Sequence, residues 1–504
     1  MDYLLSLLAG LGLVYLLSRW KRGIMPPGPP KRPIIGNLMD MPTDHDWKEF
    51  ARWGDTYGPL ASISVFGTNV IIINTYKKAI EMLDKKSPIY SGRPYIVMTA
   101  DLMGWGKSMG LLPYGSRFRQ TRKIFHQELG SNSAIRSFFP QEESQARNFL
   151  RLCVAQPEKL LDHCFQHAGA IVLRVAYGYK AKDNNDPIVI AANEAMETLS
   201  KSLAPGAFLV NQIPILRFLP EWFPGAGFKK TARLWAPLYD AMVDIPFNFV
   251  VKQLATGTAE KSFTSKWLQK NLSDEDKDIL KHGSGAMFGG KSFILEWCPG
   301  GETTAVALYM FFLMMCLHPD VQRRAQAEID EVVGRDRLPT FEDKDKMPYL
   351  EALTKEILRQ HVPVPTGLPH STTEDDIHDG WYIPKGSLVL ANIWKMSRDP
   401  SVYQDPETFD PGRFLGSNYE QDPRDYVYGF GRRICPGRLL ANATLFITFS
   451  MCLSAFDIAP MEVDGKVVFP EFKTKTGTVS HIEKFNCRIT PRFSDQKLSE
   501  LLHS

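Results

Sequence analysis

Residues 428–437 read YGFGRRICPG: one cysteine among three glycines, two adjacent arginines and a proline. A cysteine that only fills space in a core needs neither the glycines nor the charge. A thiolate does, because cationic neighbours and backbone N–H groups favour the charged sulfur over the neutral thiol. Pro436 suits the first turn of a helix, and the apolar run after it predicts a helix from Arg438 to about Ala455. Cys435 then stands at a helix N-terminus, where the dipole favours an anion.

The rest of the chain leaves this cysteine to act alone. The seven cysteines (153, 164, 298, 316, 435, 452 and 487) are odd in number and form no CxxC pair. That pattern fits a reducing compartment and argues against a disulfide framework or a zinc site. The 504 residues are 44% hydrophobic and 23% charged, enough to bury a large core. No Gly/Ser linker, repeat or low-complexity tract divides them, so one large catalytic unit is expected. A net charge of +3, without zinc-finger spacing or a basic repeat, excludes nucleic acid as a partner.

The N-terminus, MDYLLSLLAGLGLVYLLSRWKR, is apolar from 3 to 18 and then carries Arg19, Lys21 and Arg22. Sixteen helical residues span about 24 Å, a short crossing suited to a thin bilayer. Asp2 precedes the run and the positive charge follows it, the reverse of a cleavable signal. Residues 1–22 are therefore expected to be an uncleaved single-pass anchor with the rest of the chain cytosolic. Residues 23–37, with IMPPGPPKRPIIGN at 24–37, read as a proline-rich hinge, and 38–504 as the catalytic domain. The sequons at Asn271 and Asn442 are then expected to stay unmodified.

The predicted fold is mainly α with a small, mixed β portion. Residues 44–58 have helical spacing, and 59–74 read as two strands joined at Gly67-Thr68. Helical periodicity runs on to about 360, broken by prolines at 205–224. Strand-like alternation returns at 380–394 around Pro-Lys-Gly, and HIEKFNCRITPRF (481–493) reads as a terminal strand.

A single thiolate narrows the metal reading. Zinc takes three or four protein ligands, whereas haem iron needs one axial ligand because the porphyrin supplies four nitrogens. The stretch resembles the cysteine loop of the haem-thiolate cytochrome P-450 monooxygenases, specifically their microsomal, fungal-like members. Their pattern F-x-x-G-x-R-x-C-x-G is met by Gly431, Arg433, Cys435 and Gly437, with Tyr428 at the first position in place of phenylalanine. The resemblance runs over nearly the whole chain and implies the cytochrome P-450 fold, haem b as cofactor and Cys435 as its axial ligand.

It implies roles for other residues too. KEILR and FDPGRF supply Glu356, Arg359 and Arg413, a buried Glu-Arg-Arg lock. PGGETTA (299–305) supplies Glu302 and Thr303, the acid–threonine pair that relays protons, with Pro299 where the family has a small residue. Arg433, Arg122 and His370 are implied to hold the haem propionates, with Phe118 in place of a tryptophan one turn before Arg122.

The activity implied is insertion of one atom of O2 into a hydrophobic small molecule, such as a terpenoid, polyketide or indole secondary metabolite. Electrons come from NADPH through a flavoprotein (NADPH-cytochrome) reductase, which is expected to meet Arg119, Lys123, Arg432 and Arg438. The setting implied is the endoplasmic reticulum membrane, in contact with membrane lipid, as a monomer. Substrate contacts are expected from 96–113, 203–223, the first half of the helix after Glu302, and 362–369. The apolar stretch 205–228 reads equally as packed core or as an entrance dipping into the membrane. Two alternatives stay open: a haem-thiolate isomerase or dehydratase of the same fold, and a haem-binding sensor without chemistry.

Overall fold

The computed structural model describes residues 23–182, 185–204, 206–288 and 301–503. The expected anchor, Cys298 and Pro299 lie outside these residues. The chain divides into two compact units: a smaller one from Met1–Pro94, Thr366–Met396 and Phe430–Arg433, and a larger one from Tyr95–Pro365, Ser397–Gly429 and Ile434–Ser504.

In the smaller unit, helix α1 (Asp46–Tyr57) repeats Trp47, Phe50, Ala51 and Trp53 along one face, and all four are buried. Strands β1 (Leu60–Val65) and β2 (Thr68–Ile73) form a hairpin that contributes Ala61, Ile63, Val70 and Ile72 to the same core. Its turn is Phe66-Gly67, one residue before the expected position. Both residues have positive φ, 47° and 81°, the backbone that matches strand twist in a two-residue turn. Four short strands follow: β3 (His370–Ser371), β4 (Asp376–His378), β5 (Trp381–Ile383) and β6 (Leu388–Ala391). The Pro-Lys-Gly turn at 384–386 does not close a hairpin. β5 pairs with β4, while β6 joins β2 in parallel and completes a sheet of order β1-β2-β6-β3.

The proline-rich segment is fastened to this sheet. Ser62 N–H donates to Pro27 O (2.8 Å), and the buried Asn37 side chain bonds Pro29 O, Pro30 O and the Ser64 N–H. A Cβ on Gly28 would lie 1.9 Å from Ser62 O, so only glycine fits there.

The larger unit is helical. Its main helices are α2 (Ser116–Leu129), α3 (Phe139–Ala155), α4 (Leu160–Tyr177), α5 (Pro187–Leu203), α6 (Gly227–Ala255), α7 (Asp274–Phe288), α8 (Glu302–Leu317), α9 (Pro319–Val332), α10 (Pro348–Gln360) and α11 (Arg438–Ala455). Strand β7 (Phe456–Val463) pairs antiparallel with β8 (Lys466–Val468) and β9 (Cys487–Pro491). The expected strand at 481–493 is thus a strand only from Cys487.

α8 and α11 are apolar on all sides, the pattern of helices buried all round. Ala305 through Cys316 and Ala443 through Ala455 are buried without interruption. The two helices meet where Phe311 stacks on Phe449, ring centroids 4.2 Å apart. Truncating either ring to alanine removes about 3–5 kcal/mol of stability. Among the described residues, α11 is the one continuous helix long and apolar enough to cross a membrane, and it lies mostly buried in this core. α8 ends at His318, and Pro319 starts α9 at a bend of 107°.

Candidate active site

The cysteine loop is built by short backbone contacts. Cys435 N–H donates to Tyr428 O (2.8 Å), closing the loop ahead of α11, whose cap is Gly437. The helix starts at Arg438, so Pro436 precedes the cap and does not open the first turn. Gly429 and Gly431 hold φ of 79° and 52°, and a Cβ on Gly431 would lie 2.1 Å from Leu83 O. The need for glycine at 431 is therefore set by another stretch of backbone.

Three influences act on the Cys435 sulfur. Burial raises its pKa and is the largest; the Gly437 N–H and the charges of Arg122 and Arg438 pull it down. The net direction is up. Cationic neighbours alone do not make this thiol a thiolate, contrary to the first reading of the loop. They do set it apart from the buried Cys153, Cys164 and Cys452, for which nothing opposes the rise. Arg122, on α2, donates to Ile434 O at 2.8 Å, gripping the loop one residue before the cysteine. Phe118 is buried one turn before it and packs beside Tyr114. Tyr428 places its hydroxyl 2.6 Å from Asn442 Oδ1 on α11, so the extra oxygen at this position has a partner.

Behind this loop α10 supplies the lock. Arg359 holds Glu356 with two bonds, Nε to Oε2 at 2.7 Å and Nη2 to Oε1 at 2.8 Å. Arg413 Nε reaches Oε1 at 3.2 Å, and the Asp410 N–H adds a fourth bond at 2.8 Å. Glu356 and Arg359 are wholly buried. Arg359 also ties down the carbonyls of Ser397, Pro406 and Thr408.

At the start of α8, Glu302 and Thr303 point apart. Glu302 is 3% exposed and its Oε1 lies 2.7 Å from His481 Nε2. Thr303 is exposed. Gly301 caps the helix with φ 147°, a conformation closed to other residues, and its missing Cβ would sit 2.8 Å from Ala168 on α4. α8 therefore begins at Glu302, directly after Gly301.

In the smaller unit, Arg93, His370 and Arg433 form a cationic group. Arg433 Nε donates to Ser91 O (2.9 Å), and Arg93 Nη1 to Leu368 O and Pro369 O (3.0 and 2.7 Å). His370 is buried and donates from Nδ1 to Tyr90 O at 2.7 Å. Burial, then the nearby charges of Arg93 and Arg433, hold its pKa down to about 3. Burial lowers Arg93 to about 10. Sequence reading missed Arg93; its one local signal is a charged residue in the turn-forming stretch Ser91-Gly92-Arg93-Pro94.

A family model for cytochrome P450 matches residues 26–486. The chain belongs to the cytochrome P450 family. It is 42% identical to cytochrome P450 monooxygenase 208 of Postia placenta over 98% of this chain and 95% of that protein. It is 41% identical to cytochrome P450 monooxygenase claR of Ampulloclitocybe clavipes over 96% and 90%. Among solved structures, a zebrafish cytochrome P450 crystallised with abiraterone shares the fold at a TM-score of 0.70 and 23% identity, over 89% of this chain and all of that one. The fold is thus the cytochrome P450 fold and the protein a haem monooxygenase.

Cytochromes P450 bind haem b through a cysteine thiolate. The donors fit that group in kind. Cys435, unlike the buried Cys153, Cys164, Cys316 and Cys452, has arginines and a backbone N–H drawing its pKa down, and metal binding deprotonates a coordinating thiol outright. The Arg93 and Arg433 guanidiniums of the smaller unit suit carboxylates, and a carboxylate beside them would offset their effect on His370, which adds to the larger effect of burial.

The segments expected to border the P450 substrate are tied together in the larger unit. Thr99 and Ser202 hydroxyls lie 2.9 Å apart, Asn211 Oδ1 accepts from Met98 N–H (2.9 Å), and Arg217 pairs with Asp101 (2.9 Å). Beyond them Ile215, Phe218 and Trp222 are 72%, 72% and 80% exposed. Within the described part of 205–228, Val210 and Ala226 are buried in the core while the stretch between them carries these exposed side chains.

Proposed function

We propose that this P450 is a membrane-anchored monooxygenase of hydrophobic small molecules, a fungal-type secondary-metabolite enzyme fed with electrons from NADPH by a flavoprotein reductase. The observation that carries the reading is the setting of Cys435, one thiol at a helix start between Arg122, Arg438 and the Gly437 amide. Cys435 is the axial ligand; Arg433, His370, Arg122 and Arg93 hold the propionates. Haem b, when bound, supplies the iron at which O2 is activated so that one oxygen atom enters the substrate. Glu302 and Thr303 bring protons to that reaction, which favours oxygen chemistry over an isomerase or dehydratase. The exposed apolar side chains at 215–223, with the anchor at 1–22, rest the enzyme on the endoplasmic reticulum membrane with its catalytic domain in the cytosol.

The test is spectroscopic. The reduced carbon monoxide complex is expected to show the red-shifted Soret band of thiolate ligation. Cys435→Ala abolishes it, and Cys487→Ala leaves it in place. An unchanged band in Cys435→Ala refutes the assignment. Consumption of O2 and NADPH during turnover separates the monooxygenase from a reductase-free isomerase. For the reductase, Lys123→Glu on the exposed face of α2 is expected to slow electron transfer and weaken its salt dependence. Arg438 is a poor choice for that test because it also acts on Cys435.

A further inference from the structure

Glu302 faces His481, and the segment bearing His481 is held from three sides. Ser480 N–H donates to Pro363 O (2.9 Å), and His361 Nε2 donates to Ser480 O (2.9 Å). Tyr309, two turns along α8 from Glu302 and so on the same face, bonds both the N–H and the carbonyl of Phe485 at 2.9 and 3.1 Å. The imidazole itself lies nearly parallel to the Phe165 ring of α4. The ring is therefore fixed with Nε2 at the carboxylate. The His481 side chain is 12% exposed against 3% for Glu302, so the histidine is the nearer of the two to water.

We propose that His481 is the positioning and proton-supplying partner of Glu302. The step transfers a proton from imidazolium Nε2 to Glu302 Oε1, leaving a neutral imidazole and a carboxylic acid; the ring then recovers its proton from water. The inference rests on the reading of Glu302 as a proton donor to the reaction. Among the described residues, α8 presents Glu302 to the ring. The end of α10 contributes His361, which burial holds down to about 4 and therefore neutral. On the segment's own side Lys475 N–H donates to His481 O (2.7 Å), and Glu483 and Lys484 follow in sequence. His481 Nε2 stands within hydrogen-bond reach of Glu302 Oε1, at 2.7 Å, and an imidazole can carry a proton on that nitrogen or release it.

Two measurements test this. In the full-length holoenzyme with a reductase and NADPH, hydrogen peroxide is counted per NADPH oxidised from pH 6 to 9 for wild type, Glu302→Gln, His481→Gln and the double variant. Both single variants are expected to raise the peroxide share several-fold and flatten its pH dependence, with the double variant no worse than either. The carbon monoxide spectrum stays that of thiolate ligation throughout. A wild-type share and pH profile in His481→Gln, with Glu302→Gln altered, overturns the role of His481. If Glu302→Gln is also unaltered, the reading of Glu302 fails instead. The second measurement needs no turnover and covers a His481 variant that does not fold. In the protein labelled at histidine, the His481 Nε2 resonance at fixed pH is expected to move in Glu302→Gln, because the carboxylate that it faces at 2.7 Å is gone. An unmoved resonance overturns the pairing.

Discussion

Glu356 and Glu302 are both carboxylates withdrawn from water in the larger unit, 0% and 3% exposed, yet their partners differ in kind. Glu356 is held by two arginines and a backbone N–H, all permanently able to donate. Glu302 is held by an imidazole, whose ring nitrogen donates or accepts according to where its proton sits. Glu142 on α3 is a third case. It is wholly buried, and the Thr444 hydroxyl of α11 reaches it at 3.0 Å. Burial outweighs that bond and raises its pKa to about 8. Charged and hydrogen-bonded partners keep a buried carboxylate ionised as a fixed strut; a titratable partner makes it a relay; a lone hydroxyl leaves it protonated.

The largest effect belongs to the strut. Arg359→Leu leaves Glu356 buried beside a single arginine and takes the Arg359 donor from the Ser397 and Pro406 carbonyls, while Thr408 O keeps Arg413 Nη2. The expected loss is about 3–5 kcal/mol, read as a lower denaturation midpoint and a lower haem content. A variant that keeps its midpoint would show that the network is dispensable and erase the contrast with Glu302.

The next effect is a pH slope at Glu142. A carboxyl near pKa 4.5 in the unfolded chain and about 8 in the folded one binds more protons when folded between those values. Stability then falls as pH rises through that window and is undiminished below it. The other charges near the group are Lys344, which eases its ionisation, and Glu143, which opposes it. Glu142→Gln is expected to match wild type at pH 5 and exceed it at pH 8–9 in melting temperature. Parallel curves for the two proteins would mean that Glu142 is ionised in the fold.

These three glutamates also mark how far the sequence could be read. The cysteine loop and the α11 boundaries were legible from local chemistry and helical period, and the Glu356–Arg359–Arg413 set through the family resemblance carried by KEILR and FDPGRF. Glu302 was legible through the same resemblance, as part of PGGETTA (299–305). Its partner His481 was not. It comes from an irregular segment that reads as strand, and the contact exists because Tyr309 and Pro363 pin that segment against α8. Glu142 sits in a helix where an acid is unremarkable, and its burial follows from the packing of α3 on α11. The strands on either side of the Pro-Lys-Gly turn were legible, but their partners were not, for a related reason. Alternation shows that a strand is half-buried, but β6 chose β2 as its neighbour across more than three hundred residues of chain.

The smallest effect comes from a neutral pair, and it sharpens the scale at its lower end. Tyr428 stands where the family pattern has phenylalanine, and its hydroxyl donates to Asn442 Oδ1 on α11. Burial and the nearby Cys435 push the phenol's pKa further up, so it stays a neutral donor at any pH the protein survives. Tyr428→Phe removes the donor and restores the family residue in the same stroke. Asn442 is only half-buried and lines a cavity of about 460 Å³ with Arg438, Arg136 and Lys344, so water can reach the freed amide oxygen. The expected loss is therefore at the low end for a neutral hydrogen bond, about 0.5–1 kcal/mol. The same substitution tests whether the bond also fixes the cysteine loop, because Tyr428 O accepts from Cys435 N–H. If the hydroxyl anchors the loop to α11, the carbon monoxide difference band broadens and the haem reduction potential shifts in Tyr428→Phe; if it only satisfies itself, both stay at wild-type values while the small stability loss remains.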